Sequence, residues 1–402
     1  MADMSAARSR FAALDGMRGF FALVVALGHF RAESHVYPLD LAERSYTIVD
    51  LFFVMSGLVI GRATQKGLAD KQRLLAFMLR RFGRVWPAHV AVLLMYVGFE
   101  LLKLRAEMTG KLSAGRHAFE PGTQFDLASI PANLALTQSL GFIDRATWNV
   151  PSWSISTELY TYVLFAVCSV LLPRRLLGVA VAFIALCGAY IYTHAPTMNV
   201  TYDYGYARTV MGFFCGYLVY RAWRVLPPLP RKWATPAELV CTVGLFTFFG
   251  FGGATRFSIL APVLYLIPIL VFTYDRGIVS KALMTRPMQA LGLWSYSIYL
   301  VHEFIFLVLT RGLSLVQNRS EMQFFVERGT WPDGTPISVL SFGGVWSMDL
   351  LTVFMLGVVT VVSAGMSRWI EIPCQLPFTK WAKKLEGRRE PLPQVVSTVP
   401  TP

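Results

Sequence analysis

Long apolar runs alternate with short polar, mostly basic connections from one end of this chain to the other. The runs fall at about 13–31, 46–62, 85–104, 152–172, 176–193, 207–222, 237–255, 257–275, 289–310 and 346–368, and a helix rising about 1.5 Å per residue crosses a bilayer core of about 30 Å in some 20 residues. The pattern predicts an all-α, polytopic integral membrane protein with about ten transmembrane helices. The connections set its orientation. GRATQKGLADKQRLLAFMLRRFGR, the PRR after Leu172, RAWRVLPPLPRKW, DRGIVSKALMTRP and TKWAKKLEGRR are basic and alternate with weakly charged loops, which predicts that both termini face the cytoplasm. Two longer connections, about 105–150 and 311–345, mix charges with Pro and Gly and fall on the opposite face, where an acceptor-binding surface is expected. Residues 1–378 read as a single membrane-embedded domain and 379–402 as a basic, then disordered, cytoplasmic tail.

Composition agrees with this reading: 54% of the 402 residues are hydrophobic, 15% are charged and the mean hydropathy is +0.49, more apolar surface than a soluble fold of this length buries. The net charge of +13 sits in the connections, so it follows the membrane bias and argues against nucleic acid as a partner. None of the five cysteines forms a CxxC or metal-ligand spacing, and no disulfide framework, metal site or permanently bound cofactor is expected. Arg8, Arg10 and Arg18 precede an apolar stretch as in a signal peptide, but no small-x-small cleavage site follows and further spans come at once. The segment is therefore expected to be the first retained helix.

Within LDGMRGFFALVVALGHF two ionisable residues, Arg18 and His29, stand in an otherwise plain span. Such side chains cost on the order of 2.5 to 3.5 kcal/mol at membrane depth and persist mainly where they serve a site. Eleven helical steps return to within about 20° of the starting direction and advance roughly 16 Å, so the pair shares one face at two depths. Other polar groups have two readings each. Asp50 heads VDLFFVMSGLVI as a helix cap or a site residue. Arg80, Arg81 and Arg84 anchor the third helix at headgroups, or Arg81 and Arg84 grip the phosphates of a donor. Glu158 in PSWSISTELY needs a partner from another helix, for which Arg18 is a candidate. In WSYSIYLVHEFIF, His302 follows Ser295 by seven residues on the same face, with Tyr299 one turn before it. Glu371, beside Arg368, reads as a local ion pair.

LDGMRGFFALVVALGHF, VDLFFVMSGLVI, RRFGRVWP, WSISTELY, WSYSIYLVHEF and RWIEIP, in this order and spacing from about residue 10 to 378, resemble the acyltransferase-3 family of integral membrane acyltransferases. The resemblance implies a roughly ten-helix enzyme of the bacterial inner (cytoplasmic) membrane. Such an enzyme moves an acyl group, commonly acetyl, from cytoplasmic acyl-CoA to a hydroxyl of a cell-envelope saccharide or glycolipid, less often to a small secreted molecule. It places the family's functional pair at Arg18 and His29, its arginine pair at Arg81 and Arg84, and its Ser-Tyr-x-x-Tyr-x-x-His segment at Ser295, Tyr296, Tyr299 and His302. Some members carry an extracytoplasmic esterase-like domain after the last helix, which is not expected here, and Thr157 stands where a Val- or Ala-like residue is usual. The chemistry is consistent with the residues themselves. Removing a hydroxyl proton calls for a base near neutrality, and imidazole is the side chain nearest that value. His29 is thus the expected base, with Arg18 and Glu158 as further catalytic candidates and Arg81 and Arg84 as donor-binding ones. A transporter of a glycoconjugate is the alternative from another class, although no internal repeat supports it; an N-acyltransferase would look alike.

Overall fold

The computed structural model describes residues 11–37, 44–111, 117–330 and 336–387. Its helices are α1 (Ala12–His29), α2 (Ile48–Ala63), α3 (Lys71–Met108), α4 (Ile130–Leu134), α5 (Trp153–Leu171), α6 (Leu176–His194), α7 (Gly205–Val225), α8 (Arg231–Thr247), α9 (Ala261–Leu264), α10 (Leu266–Phe272), α11 (Ile278–Leu283), α12 (Arg286–Gln317), α13 (Val345–Met366) and α14 (Ile372–Leu385). Among the described residues, eight helical segments are long and apolar enough to cross a membrane. The protein is an all-α polytopic membrane protein. The remaining two apolar runs are also helical: 207–222 lies within the more polar α7, and 257–275 is a shorter broken segment. Pro262 and Pro268 each remove a backbone donor from that segment, which becomes a 3-10 turn (Arg256–Leu260) followed by α9 and α10.

Several boundaries differ from the sequence expectation for identifiable reasons. Helix α3 starts at Lys71, not near 85, because the basic stretch is made of good helix formers and Asp70 caps it, accepting a 3.0 Å hydrogen bond from the Gln72 N–H. Its N-terminal part is met by α14, and Arg80 pairs there with Glu386 at 2.8 Å. The basic TKWAKKL stretch, expected to open the tail, is the last part of α14, which runs to Leu385, and 388–402 lie outside the described residues. A π-helical turn, Ser367–Glu371, joins α13 to α14 and turns Glu371 inward.

The connection expected at 311–345 contains an antiparallel hairpin, β1 (Phe325–Thr330) and β2 (Pro336–Leu340). It is fastened to the residues that follow α1. The Leu340 N–H donates to Arg31 O at 2.9 Å, the Glu33 N–H donates to Leu340 O at 2.7 Å, and the Glu33 carboxylate accepts from Ser341 and pairs with Arg328.

The tightest helix pairs are α1 with α12 and α2 with α7, and small residues explain both. A Cβ on Gly19 would run into the backbone of Leu291 and Gly292, and one on Gly57 into the carbonyl of Phe213. The core between the helices is aromatic, with Phe165, Phe213, Phe214, Phe249 and Tyr265 buried.

Candidate active site

Helices α1 and α12 run side by side in the same direction, and their contact builds the site from two levels. Near their N-terminal ends Arg18 reaches across. Its Nε donates to Ser295 Oγ at 2.9 Å, one terminal nitrogen donates to Gly292 O at 3.0 Å, and the same nitrogen lies 3.4 Å from the Asp15 carboxylate. The start of α1 is tied down in parallel: the backbone N–H groups of Ala12 and Ala13 donate to Asp275 at 3.3 and 2.8 Å. Residues far away in sequence thus supply the N-terminal cap that α1 lacks locally.

Toward the C-terminal end of α1, the His29 and His302 rings meet edge to face with centroids 4.9 Å apart. His29 Nδ1 lies 2.8 Å from Val25 O and His302 Nδ1 lies 3.1 Å from Ile298 O. A carbonyl oxygen can only accept, so each Nδ1 carries the proton and each Nε2 is the basic nitrogen. A cavity of about 640 Å³ opens at this level. His29, Arg31, Tyr96, Gln124, Glu303, Arg311 and Gln317 contribute to its wall, and the hairpin closes it with Phe325, Glu327, Ser338 and Leu340. The cavity is rich in hydrogen-bonding groups and touches the basic edge of α1.

On the Arg18 side a second group of polar side chains gathers among α2, α3, α5, α12 and the π-turn that precedes α14. Tyr162 Oη donates to Glu158 at 2.6 Å and lies 2.9 Å from Ser56 Oγ. Arg81 lies close enough to interact electrostatically with Tyr162 and Glu158, and its Nε has no hydrogen-bond partner among the described residues. Arg84 pairs with Glu371, which also accepts from Ser297 Oγ at 2.7 Å, and its guanidinium sits over the Tyr296 ring at 5.2 Å. Tyr296 Oη donates to Val85 O at 2.6 Å. Two expectations are corrected here. Glu371 pairs with Arg84 and not with Arg368, because the π-turn rotates it away from its neighbour; and Glu158 is met by Tyr162 and Arg81 instead of by Arg18, which Ser295 and Gly292 engage.

Asp50 is a third case. Helix α2 has no side-chain cap, and Asp50 is fully buried in a two-point ion pair with Arg208, Nε to Oδ1 at 2.8 Å and a terminal nitrogen to Oδ2 at 2.9 Å. Arg208 also donates to Val200 O and Tyr46 O and lies over the Trp153 ring. Four of the five N–H groups of the guanidinium are used, which makes this pair a support between α2 and α7. Tyr299 accepts from Ser154 Oγ at 3.0 Å, tying α12 to the start of α5 next to the two histidines.

A family profile for an acyltransferase domain matches residues 11–366, and so takes in every helix from α1 to α13. The chain belongs to the acyltransferase-3 family. It is 26% identical to the acyltransferase MdmB of Streptomyces mycarofaciens over 98% of this chain and 96% of that protein. It is 25% identical to the peptidoglycan O-acetyltransferase OatA of Listeria monocytogenes over 76% of this chain and 50% of OatA. A putative membrane-bound transacylase, BcsY of Komagataeibacter xylinus, is 25% identical over 72% of this chain and 71% of its own length. No solved structure matches the chain.

In this acyltransferase Arg18, His29 and the α12 residues Ser295 and His302 meet at one helix contact, whereas four residues of these contacts and of the cavity wall do not stand out in the sequence. Glu303 stood inside a quoted motif, overshadowed by His302. Arg208 lies in GYARTVMGF, a run whose lone arginine was the available signal, by the same cost of burial that drew attention to Arg18. Asp275 and Tyr96 had no local signal, since Asp275 caps a helix distant in sequence and Tyr96 lines a cavity whose other walls come from distant segments.

Proposed function

We propose that this membrane acyltransferase moves an acyl group, acetyl in the simplest case, from cytoplasmic acyl-CoA to a hydroxyl of a cell-envelope saccharide or glycolipid, with both termini in the cytoplasm of a bacterial inner membrane. The observation that carries the reading is the polar cavity that meets His29 on the hairpin side. The donor is then assigned to the opposite side, where Arg81 and Arg84 lie among the basic connections; Arg81 is the better phosphate ligand because Arg84 is already engaged by Glu371. A pantetheine-length donor would span the roughly 16 Å of helix between the Arg18 level and His29.

In the transfer, His29 Nε2 takes the proton of the acceptor hydroxyl as its oxygen attacks the thioester carbon. The carbon–sulfur bond then breaks, and the leaving thiolate of CoA takes a proton back from the imidazolium. His302 holds the His29 ring edge-on, and Arg18 keeps α1 in register with α12 so that the two rings meet. The name of OatA supports a saccharide acceptor and an O-linked product.

The experiment is CoA release and acyl transfer by purified protein in nanodiscs supplied with acetyl-CoA and envelope glycan, beside His29→Ala. Release and O-acylation that depend on His29 support the reading; full activity of the variant, or transfer to an amine instead of a hydroxyl, overturns it.

A further inference from the structure

Two buried polar atoms in the cavity wall have no hydrogen-bond partner among the described residues: Glu303 Oε2 on α12 and Tyr96 Oη on α3. Buried polar atoms are nearly always paired, so two such atoms on residues that line one cavity point to a ligand that completes their bonding after a small rotation of the side chains. Glu303 directly follows His302 on α12 and lines the same cavity as His29, about a third of a helical turn round from the histidine that meets the His29 ring. The charged side chains of the wall, apart from the histidine, are Arg31, Arg311, Glu303 and Glu327, two of each sign, which favours a ligand without net charge.

We propose that Glu303 and Tyr96 grip a second hydroxyl of a neutral polyhydroxylated acceptor, and so decide which of its hydroxyls reaches His29. A carboxylate oxygen can only accept and a sugar hydroxyl donates to it; the phenol of Tyr96 donates back to the oxygen of the same hydroxyl. The two groups are acceptor-positioning residues, and the assignment rests on reading this cavity as the acceptor site.

The test uses source cells deleted for the gene and complemented with wild type, Glu303→Gln, Glu303→Asp, Tyr96→Phe or His29→Ala. Envelope glycans and secreted metabolites are analysed by mass spectrometry for the amount and position of the added acyl group, with membrane abundance of each protein measured by an epitope tag. Both Glu303→Gln and Tyr96→Phe keep the side-chain shape. They are expected to lower the product about tenfold and to scatter the remaining acyl group onto neighbouring hydroxyls, with Glu303→Asp recovering the wild-type position. Wild-type amount and position in both variants overturns the proposal, as does a lowered amount at an unchanged position, which a structural role would give. If the wild type adds no acyl group, or His29→Ala adds it equally well, the acyltransfer reading of the site has failed, and the proposal falls with it.

Discussion

The rings of His29 and His302 lie 4.9 Å apart, edge to face, and each imidazole gives its Nδ1 proton to the carbonyl one turn earlier on its own helix. The two basic nitrogens are therefore presented by rigid helices, not by loops, at the level where the cavity opens. A base held in this way needs no reorganisation before it takes a proton.

Replacing His29 with Ala is expected to lower acyl transfer by about 10²- to 10⁴-fold, the usual worth of a general base. The protein should still purify as a monodisperse species. CoA release measured with a thiol reagent checks it, and an active variant would falsify the assignment.

The register of the site depends on glycine. A Cβ on Gly19 or Gly292 meets backbone atoms of the facing helix, which cannot swing aside as a side chain does. Gly19→Leu and Gly292→Leu should push α1 from α12, separate Arg18 from Ser295, and remove activity. Gly98→Ala, where a Cβ has open space, is the control and should change little. Activity alongside thermal unfolding in detergent distinguishes the three.

Asp50 and Arg208 are 0% and 1% exposed, so removing one partner leaves a buried charge. Arg208→Ala should cost on the order of 3 to 5 kcal/mol, while a double replacement by Asp50→Asn and Arg208→Met should recover part of the loss. Unfolding midpoints compared across the single and double variants give the coupling; additive effects would argue against the pair as a support.

Arg81→Ala is expected to raise the KM for acetyl-CoA about tenfold or more, with Arg81→Lys intermediate because an ammonium lacks the guanidinium fork. The same variant should respond less than wild type to removal of the donor's 3′-phosphate. An unchanged KM would return Arg81 to a headgroup anchor.

The hairpin that closes the cavity responds to acid through Glu33. The hydrogen bond from Ser341, and then Arg328, hold its carboxyl below the usual carboxylate range. A depressed folded value means that the contribution is complete above the ordinary carboxylate pKa and is lost as pH falls through the folded one. Amide exchange in 336–340 should therefore quicken, relative to its intrinsic rate, only below about pH 4, and Glu33→Gln should remove that acid-dependent step. Acid dependence that persists in the variant would assign it to another group.

Much of this architecture was legible along the chain because the cost of burying a charge and the period of a helix are local properties. The lone Arg18 and His29 stood out against their own span, and Asp50 and Glu158 did so for the same reason. Their partners did not. Arg208 and Arg81 were assigned to Asp50 and Glu158 only when α7 packed on α2 and α3 on α5, although Tyr162 lies one turn after Glu158 on the same helix, and Glu371 turned from Arg368 to Arg84 because a π-turn changed its direction. The reading of Glu303 was lost to its neighbour, since two adjacent polar residues on one helix point to different sides and spacing alone does not say which side holds the cavity.

The amino-acid sequence by itself determined a chain of apolar helices joined by basic connections, with Arg18 and His29 on one face of the first. Helical periodicity and the water–lipid transfer cost act within a few turns, and no distant residue is needed to read them. Only the tertiary structure decided that His29 meets His302, that Asp275 caps α1 and that a hairpin closes the cavity beside Glu303 and Tyr96. Those are contacts between segments far apart in the chain, selected by how close the glycines of α1 and α12 allow two backbones to come.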